Sequence, residues 1–171
     1  MTRYLAFLRG VTPQNVRNAD LRQALEAAGF TGVRTILASG NLAFDAVDAP
    51  VDALAGRIES ILAEAVGRRF PVIVRRQSHL QKLLAEDPFA SHAPPAGAKR
   101  VVTFLRTDQA PKRPLPFAED NACVLAKAGL EVFTAYLPHP KGPVFMTLLE
   151  KAFGRDITTR TWDTVRKCAG A

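Results

Sequence analysis

Val33-Arg34-Thr35-Ile36-Leu37-Ala38-Ser39-Gly40-Asn41-Leu42-Ala43-Phe44-Asp45 decides how the first half of the chain folds. Val33 to Ala38 and Leu42 to Asp45 are short apolar runs, and Ser39-Gly40-Asn41 between them has the chemistry of a tight turn. The stretch reads as a β-hairpin, strands two and three. Before it, Asn18 caps a helix and Asp20 complements the positive end of its dipole. Leu21, Ala24, Leu25 and Ala28 fall on one face of that helix, and Gly29 stops it. After the hairpin, Asp48 and Pro50 open a longer helix. Its stripe is Val51, Leu54, Ile58, Ile61, Leu62 and Ala65, ended by Gly67. Arg3 to Arg9 and Pro71 to Val74 add a strand at either side. The order strand-helix-strand-strand-helix-strand predicts a ferredoxin-like, split βαβ sheet over residues 1–76.

Residues 77–98 read as a helix and a connector. Ser78 caps the helix, which carries Leu80, Leu83 and Leu84 and closes at Asp87-Pro88; Ser91 to Gly97 is rich in Pro and Ala. Residues 99–171 form a smaller α+β lobe. Arg100 to Arg106 is a strand, and Thr107 to Pro116, with three prolines, is a loop. Ala122 to Ala126 and Leu130 to Leu137 make a second hairpin about Lys127-Ala128-Gly129. Pro143 opens a helix bearing Phe145, Leu148, Leu149 and Ala152, stopped by Gly154, and Thr161 caps a last helical turn or two with Trp162 and Val165. The fold class is α+β, the two lobes making one compact unit.

Composition narrows the function. The 171 residues are 47% hydrophobic and 23% charged, which suits a globular domain and excludes a disordered or fibrous chain. No apolar run approaches the ~18 residues of a membrane span, and the stretch from Met1 to Arg9 is too short for a signal-peptide core, so a cytoplasmic protein is expected. Cys123 and Cys168 fit no CxxC or zinc spacing. The net charge of +7 comes from 23 Lys+Arg against 16 Asp+Glu. Arginine runs from Arg3 to Arg166 with only doublets at Arg68-Arg69, Arg75-Arg76 and Lys99-Arg100, so the charge reads as solvated faces rather than a nucleic-acid track. Nothing in the sequence speaks to oligomeric state.

Topology points to one candidate site. In the split βαβ pattern strands one and two run parallel, so the end of strand one and the hairpin turn share an edge. Arg9, Gly10, Ser39, Gly40 and Asn41 gather there beside the first helix's N-terminus, the parts of an anion site. Arg160, in Thr158-Thr159-Arg160-Thr161 ahead of the last helix, is a second anion contact. The bland alternatives are an internal ion pair for Arg9 and plain turn and cap duty for the rest. His79, His92, His139 and Cys123 lie in no nucleophile motif, and HExxH, GxSxG, Walker and GxGxxG patterns are absent. No metal or cofactor is expected. RNA recognition on a bare sheet would use Tyr4, Phe7 and Phe44, but strand one is apolar on both faces, which implies that both are covered. The residues favour binding of a small phosphate- or carboxylate-bearing ligand. Weak charge-driven nucleic-acid binding, or an enzyme with a site assembled from distant residues, are the alternatives.

Leu8-Arg9-Gly10, Ala19-Asp20-Leu21-Arg22, Ala27-Ala28-Gly29-Phe30, Val33-Arg34-Thr35 and Ser39-Gly40-Asn41 resemble the bacterial family known as domain of unknown function (DUF) 1697. Val72-Ile73-Val74-Arg75, Asp87-Pro88-Phe89, Leu148-Leu149-Glu150-Lys151 and Thr158-Thr159-Arg160 with Trp162 and Thr164-Val165 extend the likeness. The resemblance implies an α+β fold with a ferredoxin-like first half and brings no activity. Two stretches depart from the family pattern. Val11-Thr12-Pro13-Gln14-Asn15 is shorter than the glycine-paired loop usual there, and Lys141-Gly142-Pro143 replaces an Arg-Ser-Lys stretch.

Overall fold

A computed structural model describes residues 1–171. Its apolar first strand, β1 (Thr2–Leu8), lies between β3 (Asn41–Ala46) and β4 (Val72–Arg76), antiparallel to both; β2 (Thr31–Thr35) pairs antiparallel with β3 at the edge. The sheet order is β2-β3-β1-β4. α1 (Asn18–Ala27) joins β1 to β2, and α2 (Val51–Val66) joins β3 to β4. Strand alternation divides the side chains. Tyr4, Ala6 and Leu8 of β1, Leu42 and Phe44 of β3, and Val72 and Val74 of β4 share one core with Leu21 and Leu25 of α1 and Leu54, Ile58 and Leu62 of α2. Residues of the opposite parity, Leu5, Phe7, Ala43 and Ile73, are buried as well. Both faces of β1 are therefore covered, the arrangement its unbroken apolar run requires.

Most local expectations hold, and the misses have physical causes. α2 starts after Pro50 and ends at Gly67 in the left-handed conformation. α1 is flanked by Arg17 rather than capped by Asn18, whose side chain instead donates to the Leu37 carbonyl at 2.7 Å. β2 ends at Thr35, three residues early, because Asn41 draws the chain into a wider loop. Its side-chain amide donates to the Ile36 carbonyl at 2.9 Å and to Ser39 Oγ at 3.0 Å, while Ile36 N–H donates to its carbonyl. The expected three-residue turn is thus a loop over residues 36–40.

The chain divides into two units: Met1–Lys82 with Arg166–Ala171, and Leu83–Val165. Gln77 Nε2 donates to the carbonyls of Ala169 (3.1 Å) and Ala171 (2.7 Å), and Arg3 Nε to that of Ala171 (3.3 Å), which fastens the last residues to unit 1. α3 (Gln77–Glu86) and α5 (Trp162–Ala169) contain the two dividing points.

Unit 2 is built on a five-stranded sheet of order β6-β7-β8-β5-β9, antiparallel throughout. Its strands are β5 (Lys99–Leu105), β6 (Phe117–Glu119), β7 (Ala122–Ala128), β8 (Glu131–Tyr136) and β9 (Ile157–Thr161). α4 (Val144–Phe153) lays Leu148, Leu149, Ala152 and Phe153 on Leu105, Val124, Val132 and Ile157. β6 extends the expected hairpin beyond β7, and β9 extends the sheet beyond β5. β9 is the larger correction, since Thr158-Thr159-Arg160 is strand and not a pre-helical loop. Thr161 does cap α5, accepting from Thr164 N–H at 3.3 Å.

Candidate functional site

Two backbone hydrogen bonds assemble the end of the unit 1 sheet. Leu8 N–H donates to the Gly40 carbonyl at 2.8 Å, and Arg9 N–H to that of Pro71 at 2.9 Å. They bring Arg9, Gly10, the loop over residues 36–40 and the entry to β4 together, as parallel β1 and β2 require. Gly40 has φ +81, and a Cβ there would stand 3.0 Å from Leu8 Cβ, Leu8 O and Val11 Cβ. Glycine is what lets the two loops close on each other. Gly10, at φ +84, is exposed, as are Thr12, Pro13, Gln14, Leu37, Ala38 and Ser39.

Three asparagines brace this end. Asn15 Nδ2 donates to the Gly10 carbonyl at 2.7 Å while its Oδ1 accepts from Thr12 N–H at 2.9 Å. Asn18 holds Leu37, and Asn41, buried, holds Ile36. The carbonyls of Gly10, Ile36 and Leu37 are thereby each covered by an amide donor. Asn15 and Asn18 carry structural duties that sequence reasoning missed; the usable signal was the propensity of Asn to bond nearby backbone. A cavity of about 450 Å³ adjoins the loop, lined by Asn15, Asp20 and Gln23 with Ala24, Ala27 and Val66. Arg17 and Asp20 pair at 2.9 Å across the first turn of α1, and that hydrogen bond holds the Asp20 carboxyl below its ordinary value.

A second polar cluster forms about Asp48. Its Oδ1 accepts from the Arg76 guanidinium, from Tyr4 OH at 3.1 Å and from Thr2 Oγ1 at 3.3 Å. Arg76, then Tyr4, holds the Asp48 carboxyl below its ordinary value. Tyr4 OH also accepts from Ala49 N–H at 3.1 Å, so the cluster secures the β3–α2 connection.

Arg160 belongs to unit 2 and not to this end of unit 1. It sits in β9, buried, and its Nη1 donates to Thr158 Oγ1 at 2.8 Å and to the Thr159 carbonyl at 2.7 Å. The arginine expected in a loop is a strand residue bonding to its own strand. Trp162 packs edge-to-face on Phe89 at 5.1 Å as a core residue. His79 and His92 are exposed, His139 accepts from Lys141 N–H, and no three His, Cys, Asp or Glu side chains gather where they could hold a metal ion.

The fold and this assembly define an α+β protein of two antiparallel-sheet units, with glycine-closed loops at one end of the first. The chain belongs to the family of proteins of unknown function DUF1697, whose model matches residues 1–124. Its structure is similar to that of a conserved bacterial protein, SP0830 from Streptococcus pneumoniae. The TM-score is 0.74 at 21% identity, over 99% of this chain and 97% of that one. That likeness extends the common fold through unit 2, beyond the family match. No curated protein matches the chain. No helix is long and apolar enough to cross a membrane.

Proposed function

We propose that the protein binds a small ligand bearing a phosphate or carboxylate at the end of the unit 1 sheet, through Arg9, the backbone about Gly10, and Ser39, Gly40 and Asn41. One observation carries this reading: the backbone bonds from Leu8 to Gly40 and from Arg9 to Pro71 set Arg9, a half-buried residue, beside two exposed loops. The three asparagine braces support it, because a carbonyl already hydrogen-bonded to an amide repels an approaching anion less than a bare one. Unit 1 is read as ferredoxin-like; the order β2-β3-β1-β4 with helices after β1 and β3 supports this. The cytoplasm is the proposed setting, in keeping with two cysteines that form no disulfide. Arg160, engaged within its own strand, is left out of the site.

A thermal-shift panel of phosphate, sugar phosphates, nucleotides and dicarboxylates tests the reading. A ligand at ~100 times its Kd adds about 2.7 kcal/mol, a rise in Tm of roughly 5–10 °C for a chain of this size. Arg9→Ala is expected to abolish the shift. A flat panel, or a shift that survives Arg9→Ala, overturns the proposal.

Charge distribution favours a second reading, weak nucleic-acid binding by unit 1, where 13 basic residues face 7 acidic ones. That binding would fall by roughly 0.9 log units per log unit of salt for each duplex phosphate contacted. Salt-insensitive binding, or none at low salt, removes it.

A further inference from the structure

Glu59 stands in α2 where the apolar stripe calls for a hydrophobic side chain. Ala55, Ile58 and Leu62 around it are buried, and so is Glu59 itself. A glutamate is almost never buried this far without a specific partner, and such departures from pattern gather at functional sites. One partner lies at the entry to β4. Glu59 Oε1 accepts from Val72 N–H at 2.9 Å, and its Oε2 stands 3.5 Å from Arg69 Nη2. Arg69 is largely exposed, so water competes for that contact, whereas Val72 is fully buried.

The Val72 N–H and the Pro71 carbonyl belong to one peptide unit. The bond between these residues is trans, so the two groups point in opposite directions. Pro71 O faces β1 and accepts from Arg9 N–H at 2.9 Å; Val72 N–H therefore faces the outer edge of β4, where the sheet ends. Pro71 has no N–H to return to Arg9, and the ladder closes here on one bond instead of an antiparallel pair's two. Glu59 grips the same peptide from its other side. A carboxylate bonded to the N–H polarises the peptide and strengthens its carbonyl as an acceptor for Arg9. We infer that Glu59 is a positioning residue of the anion site: through the Pro71–Val72 peptide it fixes the backbone at Arg9. The inference rests on the reading that Arg9 binds the ligand, and it adds a residue of α2 that the ligand does not touch. An arginine at the end of a strand binds an anion best when its backbone is held in place beforehand.

Two conservative variants separate reach from charge. Glu59→Gln keeps an acceptor oxygen at the same reach and removes the charge, while Glu59→Asp keeps the charge and withdraws it from Val72 by one methylene. Amide exchange, followed by NMR without ligand, should quicken about tenfold at Arg9 and Val72 in Glu59→Asp and stay within about threefold in Glu59→Gln. Leu5 and Ala6, in the middle of β1 between β3 and β4, should not change, which sets the effect apart from a general loss of stability. In a titration with inorganic phosphate, read from the Arg9 and Gly10 amide shifts, Kd should rise about tenfold for Glu59→Asp and by less than about threefold for Glu59→Gln. Equal exchange at Arg9 in all three proteins overturns the inference. So does the reverse order, with Glu59→Gln impaired and Glu59→Asp native, because charge and not the bond to Val72 would then govern the site. If Glu59→Asp does not fold, Glu59→Leu, which offers no acceptor and suits the apolar stripe, takes its place with the same expected result. Phosphate failing to move the Arg9 and Gly10 amides of the unsubstituted protein would overturn the binding reading, and the exchange rates would then decide the role of Glu59 alone.

Discussion

Unit 1 and unit 2 each rest on an antiparallel sheet with an aromatic cluster. In unit 1, Phe44 stacks on Tyr4 at 5.6 Å and meets Phe30 edge-on at 5.0 Å; in unit 2, Phe89 meets Phe133 at 5.7 Å and Trp162 at 5.1 Å. They part in how polar groups are distributed. Unit 1 holds 13 basic and 7 acidic residues, unit 2 holds 10 and 9, and 11 of the 16 arginines fall in unit 1. The even spread of arginine along the sequence therefore hides a strongly basic half and a nearly neutral one. The buried polar residues differ too: unit 1 buries Asn41, Glu59 and Arg75, whereas unit 2 buries threonines at Thr103, Thr134, Thr158 and Thr164 beside Glu131 and Arg160. The comparison teaches that the net charge belongs to one unit, so any electrostatic partner should be sought there.

The largest effects test whether the two aromatic clusters are equivalent. Phe44→Ala and Phe133→Ala each remove a ring that is at most 1% exposed, and each is expected to cost about 3–5 kcal/mol. Urea titration followed by circular dichroism measures both. Trp162, the sole tryptophan, lies in unit 2, so its fluorescence follows that unit separately. A loss below about 1 kcal/mol at either position would break the equivalence, because it would mean that the site collapses around the missing ring.

Next come the hairpin glycines. Gly40 and Gly129 both have positive φ, +81 and +56, but only Gly40 has neighbours within reach of a Cβ. Gly129→Ala should cost about 1–2 kcal/mol for the left-handed backbone alone. Gly40→Ala adds the clash with Leu8 and Val11, for about 2–4 kcal/mol in all. Equal losses would show that the loops of unit 1 are looser than the bond from Leu8 to Gly40 implies.

These pairs also mark what could be read in advance. β1, α2 and the β7–β8 hairpin were legible because each carries its own signals: an unbroken apolar run, Pro50 and Gly67, and Gly129 between two strands. The assembly of Arg9 with the Ser39–Asn41 segment was legible too, since it follows from strand direction. β9 was not. Its Thr-Thr-Arg-Thr run has the composition of a cap, and what makes it a strand is pairing with β5, more than fifty residues upstream. The brace at Asn18 was hidden for a related reason. An asparagine ahead of an apolar stripe fits a cap, and only the fold shows that the Leu37 carbonyl competes for its amide.

The cysteines, one in each unit, give a smaller contrast. Cys168 of unit 1 is fully buried, while Cys123 of unit 2 is half-buried and its thiol is pushed up from the ordinary value by burial. Less thiolate at neutral pH means slow alkylation at Cys123, and none at Cys168 short of unfolding. Mass spectrometry after iodoacetamide treatment measures both. Cys168 reacting first would mean that the last residues of unit 1 open more readily than the bonds from Gln77 and Arg3 suggest.

The smallest effect concerns pH and the Asp48 cluster. Arg76 and Tyr4 hold the Asp48 carboxyl below its ordinary value of 3.8. A group whose pKa is depressed by folding stabilises the folded state above its unfolded value, and that contribution fades as pH falls through the folded one. Asp48→Asn should therefore be less stable than the unsubstituted protein near neutral pH, with the gap closing below about pH 4. Both partners are exposed, so the gap is small and shrinks in salt. Salt also separates the two components of the cluster. The pairing with Arg76 is screened, whereas the hydrogen bond from Tyr4, whose ring is anchored against Phe44 in the core, persists. A residual difference between Asp48→Asn and the unsubstituted protein at high salt, removed by Tyr4→Phe, would assign that remainder to the tyrosine. A gap that salt erases completely would assign all of it to the arginine, and would leave the β3–α2 connection held by the bonds between Tyr4 and Ala49 alone.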